Sequence, residues 1–261
     1  MKCAVIGLGE VGSRYAAALL ESKHEVIGFD PVVTGLDGVE LAESPATAVA
    51  GTDLILVATS AAAAPAIVEA TIDHLIPGCV YADLSSASPH VMRELGQRVD
   101  AAGARFVDVA ILGPVTVSGA RTPVMIAGTE TALAADVFTA FGADVEVLAN
   151  SEPGQAMAHK FLRSVFMKGL ATVICEAMEA ADAAGLSEWT GSQIANQLAG
   201  DGSAVIDRFR IGSRTHAVRR AQEMRDTSSY LADLGVPNTM SSASARYLTD
   251  LSQRRGETPL K

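Results

Sequence analysis

From Met1 to Leu148, short apolar runs alternate with longer amphipathic stretches. The runs CAVIG (3–7), EVIGF (25–29), DLILVA (53–58), CVYADL (79–84), RFVDVA (105–110), PVMIAG (123–128) and DVEVL (144–148) have the length and composition of strands. Between several of them, segments 10–22, 61–74, 88–102 and 130–141 carry apolar residues at helical spacing. Strands that are apolar throughout belong to a parallel sheet covered on both faces. The pattern predicts an α/β fold with a doubly wound parallel sheet of Rossmann type.

After Ser151 the strand pattern ends. Segments 153–184, 187–199, 203–210, 214–234 and 238–252 read as helices, separated by Gly185, Gly200, Gly202, Gly212, Gly235 and Pro237. The first would be roughly 45 Å long at about 1.5 Å per residue, far beyond the mean globular helix of about 11–12 residues. Such a helix suits a join between an α/β domain, 1–152, and an all-helical C-terminal domain, 153–261.

The first βα turn gives the N-terminal domain a candidate task. VIGLGEVG places Gly7, Gly9 and Gly12 in a G-x-G-x-x-G pattern, directly between a strand and a helix-compatible run. Glycines there let the backbone turn tightly and approach a pyrophosphate at the helix N-terminus. The loop residues Gly7, Leu8, Gly9, Glu10, Val11 and Gly12 are therefore candidate dinucleotide ligands; the plainer reading is a tight turn with no ligand. Asp30 closes the second strand in GFDP, where an acidic residue can accept from ribose hydroxyls and would repel a 2′-phosphate. No lysine or arginine occurs in 31–45 to offset it, which favours NAD, with NADP as the alternative. Its plainer reading is an Asp that opens the turn at Pro31. Ligands of open α/β sheets lie beyond the carboxyl ends of strands. That rule adds Thr59, Ser60 and Ser85 as cofactor candidates and Ser86 as a substrate candidate, against the simpler role of helix caps.

Charge and cysteine usage then exclude several classes. The 261 residues carry a net charge of −10, so a nucleic-acid partner is not expected. No apolar run reaches the ~18–20 residues of a membrane span, and glycines interrupt MKCAVIGLGEVG too early for a signal peptide. Cys3, Cys79 and Cys175 form no CxxC and read as buried thiols of a cytoplasmic protein. The five histidines show no HxH or HExxH, and no metal site is expected.

Hydride chemistry at a nicotinamide needs a proton donor or acceptor. Tyr15, Tyr81, Tyr230 and Tyr247 are each followed four residues later by leucine or serine, so a Tyr-x-x-x-Lys pair is absent. GQAMAHKFLRSVFMKG (154–169) offers another source. The chain has only five lysines, and Lys160 and Lys168 both lie here. On a helix Ala156, Lys160, Arg163, Ser164, Met167 and Ala171 share one face, with small residues a turn either side of Lys160. Lys160 is a candidate acid/base, and Arg163 an anion holder or a cation that lowers its neighbour's pKa. The plainer reading has both snorkelling along a half-buried helix.

These motifs together resemble the β-hydroxyacid dehydrogenase superfamily, which includes 3-hydroxyisobutyrate and 6-phosphogluconate dehydrogenases. VIGLGEVG resembles its glycine loop, DLSSASP (83–89) its Asp-x-Ser-Thr-x-x-Pro segment, and GQAMAHKFLRS its Gly-x-Gly-x-x-x-Lys-x-x-Asn-Asn helix. The resemblance implies that Lys160 is the general acid/base, assisted by Ser164, and that substrate sits between it and the nicotinamide. DVAILGPV (108–115) stands where the family has Asp-Ala-Pro-Val-Ser-Gly-Gly, placing Leu112 and Gly113 at the substrate loop without its serine; Thr116 or Ser118 would compensate. Ser164 replaces an asparagine, so the substrate implied is not a standard 3-hydroxyisobutyrate. KGLATVICEAMEAADAAGL (168–186) and HAVRRAQEM (216–224) resemble a branch with a phosphogluconate-dehydrogenase-like helical domain.

The expectation is an NAD(P)-dependent dehydrogenase or reductase for a small anionic substrate, a hydroxy acid or its oxo form. Arg219 and Arg220 are candidate substrate ligands, against a surface ladder in which His216/Arg220 and Arg219/Glu223 pair at i,i+4. The alternatives are an imine reductase-like enzyme, whose relatives generally carry aspartate or tyrosine at the lysine position, and a non-catalytic cofactor-binding sensor. VFMKGLATVICEAM is too apolar for all its faces to be buried within one helical domain, which predicts a homodimer through that domain.

Overall fold

The computed structural model describes residues 1–254; the end of the expected helical domain, with Lys261, lies outside them. The α/β part contains β1 (Lys2–Ile6), α1 (Glu10–Glu21), β2 (Glu25–Phe29), β3 (Glu40–Leu41), α2 (Pro45–Val49), β4 (Leu54–Val57) and α3 (Ala64–Thr71). It continues through β5 (Val80–Asp83), α4 (Pro89–Ala101), β6 (Arg105–Ile111), α5 (Val115–Ser118), β7 (Val124–Ala127), α6 (Ala132–Ala140) and β8 (Val145–Val147). Helices α7 (Gln155–Ala184), α8 (Ser187–Leu198), α9 (Gly202–Thr215), α10 (Ala217–Asp233) and α11 (Thr239–Gln253) follow.

The sheet order is β3-β2-β1-β4-β5-β6-β7-β8. Its first six strands are parallel and in the doubly wound 3-2-1-4-5-6 arrangement. Alternate residues of each strand feed two cores. Val5, Leu56 and Val109 meet Tyr15 and Leu19 of α1 and Phe138 of α6 on one face. Ile6, Ile55 and Tyr81 meet Val68 of α3 and Met92 and Leu95 of α4 on the other. Burial on both faces is why these strands read as unbroken apolar runs.

Four features depart from the sequence reading. Strand β7 runs antiparallel to β6, because residues 112–123 hold only the four-residue α5 and a 3-10 turn, too little for a crossover back to the sheet's start. Strand β3 and helix α2 are too short to show a periodicity; α2 is set instead by Ser44, which caps Thr47 N, and by Pro45 in its first turn. Gly212 does not end a helix but lies inside α9, where the Arg220 guanidinium packs against it. Cys3 and Cys79 are buried as expected, whereas Cys175 is exposed on α7.

The chain forms two compact units, Met1–Arg163 and a second that begins at Ser164. The division between these compact units falls inside α7. The first turns of α7 belong to the α/β unit because Ala156 and Met157 are fully buried in its second core. Gly154 N and Met157 N both donate to Asp108 Oδ2 of β6, at 2.9 and 3.2 Å.

Within the helical unit, Glu176 of α7 is buried and receives the start of α11. Its carboxylate accepts from Met240 N, Ser241 N and Ser241 Oγ at 2.7, 2.8 and 2.6 Å. Among the described residues no helix is long and apolar enough to cross a membrane.

Candidate active site

Strand order reverses between β1 and β4, and a cleft of about 540 Å³ opens beyond their carboxyl ends. This is where doubly wound sheets take their ligands. Glu10 and Val11 line it from the glycine loop, Ala58–Ala61 from the end of β4, Ser86 from the end of β5, Gly113–Thr116 from α5 and its lead-in, and Lys160 from α7.

The glycines of the first turn have separate reasons. Gly7 adopts φ +89°, and a Cβ there would lie 2.7 Å from Ala58 O. A Cβ on Gly12 would stand 1.7 Å from Gly7 O, so only glycine lets α1 start against the loop. Gly9 differs: nothing of the protein lies within 4 Å of its would-be Cβ. It is also the N-cap of α1, with no side chain accepting from the helix's first N–H groups. An open concave turn in front of unclaimed donors fits a pyrophosphate.

Asp30 ties this loop to β2. Oδ2 accepts from Leu8 N at 2.9 Å, and Oδ1 from Val32 N and Val33 N at 2.9 and 3.1 Å. Burial pushes its carboxyl up, but the three backbone donors outweigh burial and hold its pKa below the ordinary aspartate value. The turn role is observed, and its three donors leave about one of the carboxylate's roughly four acceptor positions open.

Lys160 Nζ donates to Ser86 Oγ at 2.9 Å, joining α7 to the end of β5 at the cleft. The serine next to it behaves oppositely. Ser85 is 2% exposed and its N–H donates to Asp83 Oδ1 at 2.7 Å, so Ser86 and not Ser85 reaches the cleft. Of the other expected residues, Thr59, Ser60 and Gly113 line the cleft, while Leu112 packs on the second core. Arg163 is exposed and is not among the lining residues. Ser164 is half-buried in the helical unit. In that unit Arg219 is ion-paired with Glu223, and Arg220 Nη1 donates to Ser213 Oγ at 3.1 Å. Pro114 and Val115 also line the cleft and were not singled out from the sequence. The signal that could have found them is a proline one residue past the glycine of an interrupted substrate loop.

The family model described as the NAD binding domain of 6-phosphogluconate dehydrogenase matches residues 2–149, and a domain of unknown function (DUF1932) matches 181–251. The mitochondrial 3-hydroxyisobutyrate dehydrogenase of Drosophila melanogaster is 29% identical over 135 residues, covering 48% of this chain and 41% of that one. The chain spans about half the length of the curated relatives it matches. A Streptomyces aurantiacus imine reductase shares the fold, with TM-score 0.80 and 20% identity over 96% of this chain and 94% of that one. A conserved protein of unknown function, described as structurally similar to 3-hydroxyacid dehydrogenases, has TM-score 0.62 and 26% identity over 98% of each chain.

Proposed function

Because the chain belongs to the family with the NAD binding domain of 6-phosphogluconate dehydrogenase, we propose that it is a dehydrogenase or reductase for a small hydroxy acid or its oxo form, with NAD as cofactor and Lys160 as general acid/base. The observation that carries this reading is the Lys160–Ser86 hydrogen bond at the cleft that also borders the glycine loop.

The bound dinucleotide supplies or accepts the hydride. The chain's own residues do the rest. The glycine loop and the N-terminus of α1 hold the pyrophosphate, and Asp30 faces the adenosine ribose. In reduction the carbonyl carbon takes the hydride, its π electrons move to oxygen, and the ammonium of Lys160 gives that oxygen a proton. Oxidation runs the same steps backwards, with neutral Lys160 taking the hydroxyl proton. Ser86 orients the amine. Arg163, within one turn of Lys160, is proposed to hold the substrate carboxylate.

The test is titration with NADH and NADPH, then turnover on a panel of 2- and 3-hydroxy acids and their oxo forms, with Lys160→Ala in parallel. Retained cofactor binding with lost turnover is the expected result. Turnover that survives in Lys160→Ala defeats the acid/base assignment. An imine substrate is the second reading, favoured by the backbone likeness to imine reductases, and a panel of cyclic imines with NADPH separates the two. Cofactor binding with no turnover on either panel supports a sensor.

The helical domain is also proposed as the homodimer surface. Val165 is 76% exposed, and an apolar groove of about 660 Å³ runs past Phe166, Val173, Ile194, Leu198, Ile206 and Phe209.

A further inference from the structure

Two carboxylates lie side by side inside the α/β unit, and the reaction proposed above uses neither. Asp83 ends β5 and Asp108 lies on β6; they are register partners on neighbouring parallel strands, where backbones run about 4.8 Å apart. Both are fully buried. Each is half satisfied. Asp83 Oδ1 takes Ser85 N, and Asp108 Oδ2 takes Gly154 N and Met157 N. The other oxygen of each, Asp83 Oδ2 and Asp108 Oδ1, is buried without a hydrogen-bond partner. Orphaned buried oxygens of this kind are rare in folded proteins and demand a physical account.

Among the described residues the donors that reach the pair are backbone N–H groups. The strands flanking the pair place Val57 of β4 and Ala127 of β7 in the same rows. Helix α4 turns Met92 and Leu95 to this core, and α7 brings backbone N–H groups. The other titratable group facing Asp83 is the Tyr81 phenol, which burial pushes up. Burial also pushes both carboxyls up, to about 6, and the charge of Asp83 adds to the rise at Asp108. Two ionised carboxylates cannot share such a space cheaply; one proton between them removes a charge and satisfies both orphan oxygens.

We infer that Asp83 and Asp108 hold a single proton jointly, Asp83 Oδ2 donating to Asp108 Oδ1, and that this pair positions Lys160 against Ser86. The proton sits on Asp83 because Asp108 faces the N–H groups and positive dipole end of α7, which favour its ionised form. The ionised Asp108 anchors α7 one turn before Lys160. Asp83 fixes the turn that presents Ser86. Both ends of the Lys160–Ser86 bond are therefore set by one hydrogen-bonded pair. The functional weight of this pair rests on the reading of Lys160 as acid/base; its existence does not.

The test uses the full chain without substrate. Carboxyl-carbon NMR on protein with labelled aspartate, with Asp83→Asn and Asp108→Asn to assign the signals, follows the titration. The expected result is two coupled steps, one below and one above about pH 6. In each Asn variant the remaining carboxyl titrates in one step at lower pH, because the amide replaces the shared proton as donor. Two independent curves, or both carboxyls ionised by about pH 5, overturn the pairing.

The positioning claim is read from the Lys160 Cε–Nζ resonance, one of only five lysine signals, assigned with Lys160→Met. It is expected to shift in Asp108→Ala and to return in Asp108→Asn. Should Asp108→Ala not fold, Asp83→Ala makes the same comparison through Ser86. A Lys160 signal indifferent to loss of the carboxylate overturns the positioning role. Neither readout needs turnover, so failure of the pair and failure of Lys160 as acid/base are separately visible.

Discussion

Lys160 Nζ and Ser86 Oγ lie 2.9 Å apart, although 74 residues separate them in sequence. The contact joins a strand end to a helix start, the two kinds of position that doubly wound folds use for chemistry. Lys160→Ala is predicted to lower turnover by about 10²–10⁴-fold, the usual weight of a positioned acid/base, and Ser86→Ala by about tenfold through lost orientation. Steady-state rates on the active compound of the panel, with NADH affinity measured alongside, check both. A Ser86→Ala enzyme as impaired as Lys160→Ala would assign the serine a direct role.

Gly9 and Gly12 are predicted to part company. Alanine at 12 must displace Gly7 O from 1.7 Å, so Gly12→Ala loses about 1–3 kcal/mol of stability together with cofactor binding. Alanine at 9 meets no protein atom, so Gly9→Ala stays within about 0.5 kcal/mol of the parent. Its NADH affinity nevertheless falls about tenfold or more, as the methyl enters the space proposed for pyrophosphate. Urea denaturation and NADH fluorescence titration separate the two effects.

The buried aspartates give the α/β unit a pH dependence of definite sign. Their folded pKa values, about 6, lie above the 3.8 of ordinary aspartate. Their contribution is complete below about pH 3.8 and is lost as pH rises through about 6, because the unfolded chain ionises first. Asp30 and Glu176 have the opposite sign: both are held below their ordinary values, and their contributions disappear only in stronger acid. The decline in denaturation midpoint between about pH 5 and 7 is predicted to shrink in Asp83→Asn. Equal declines in parent and variant would contradict the prediction.

Glu176 is the corresponding anchor of the helical unit. Glu176→Ala leaves Met240 N, Ser241 N and Ser241 Oγ without their acceptor and is predicted to cost about 1–3 kcal/mol. Hydrogen exchange at α11 reads the loss locally, and unchanged protection there would refute it.

The proposed homodimer predicts twice the chain mass in solution scattering. Phe166→Glu and Phe209→Glu, placed in the apolar groove, are expected to shift that mass toward the monomer. A parent protein that scatters as a monomer ends the proposal.

Much of this architecture is legible in the sequence because double burial leaves a simple trace. A parallel strand covered on both faces must be apolar throughout, and Leu54–Val57 and Val80–Ala82 are. The glycine loop is legible because Gly7 and Gly12 answer a steric demand that no other residue meets. Direction within the sheet is another matter. Val124–Ala127 carries the same apolar signature as its neighbours, and only the short 112–123 connection turns it antiparallel. The choice between Ser85 and Ser86 is likewise hidden, since adjacent residues of one type differ only by which way the register turns them. Gly212 misleads for a related reason: a glycine marks a helix end in isolation, but inside α9 it makes room for an arginine from α10.

The two-residue β3 and the three-residue β8 close the sheet at its opposite edges. So short a margin exposes few unpaired backbone groups for a foreign strand to extend. The fold thus guards itself against edge-to-edge aggregation by brevity, and the apolar helix faces beyond Ser164 are the surface proposed for association between chains.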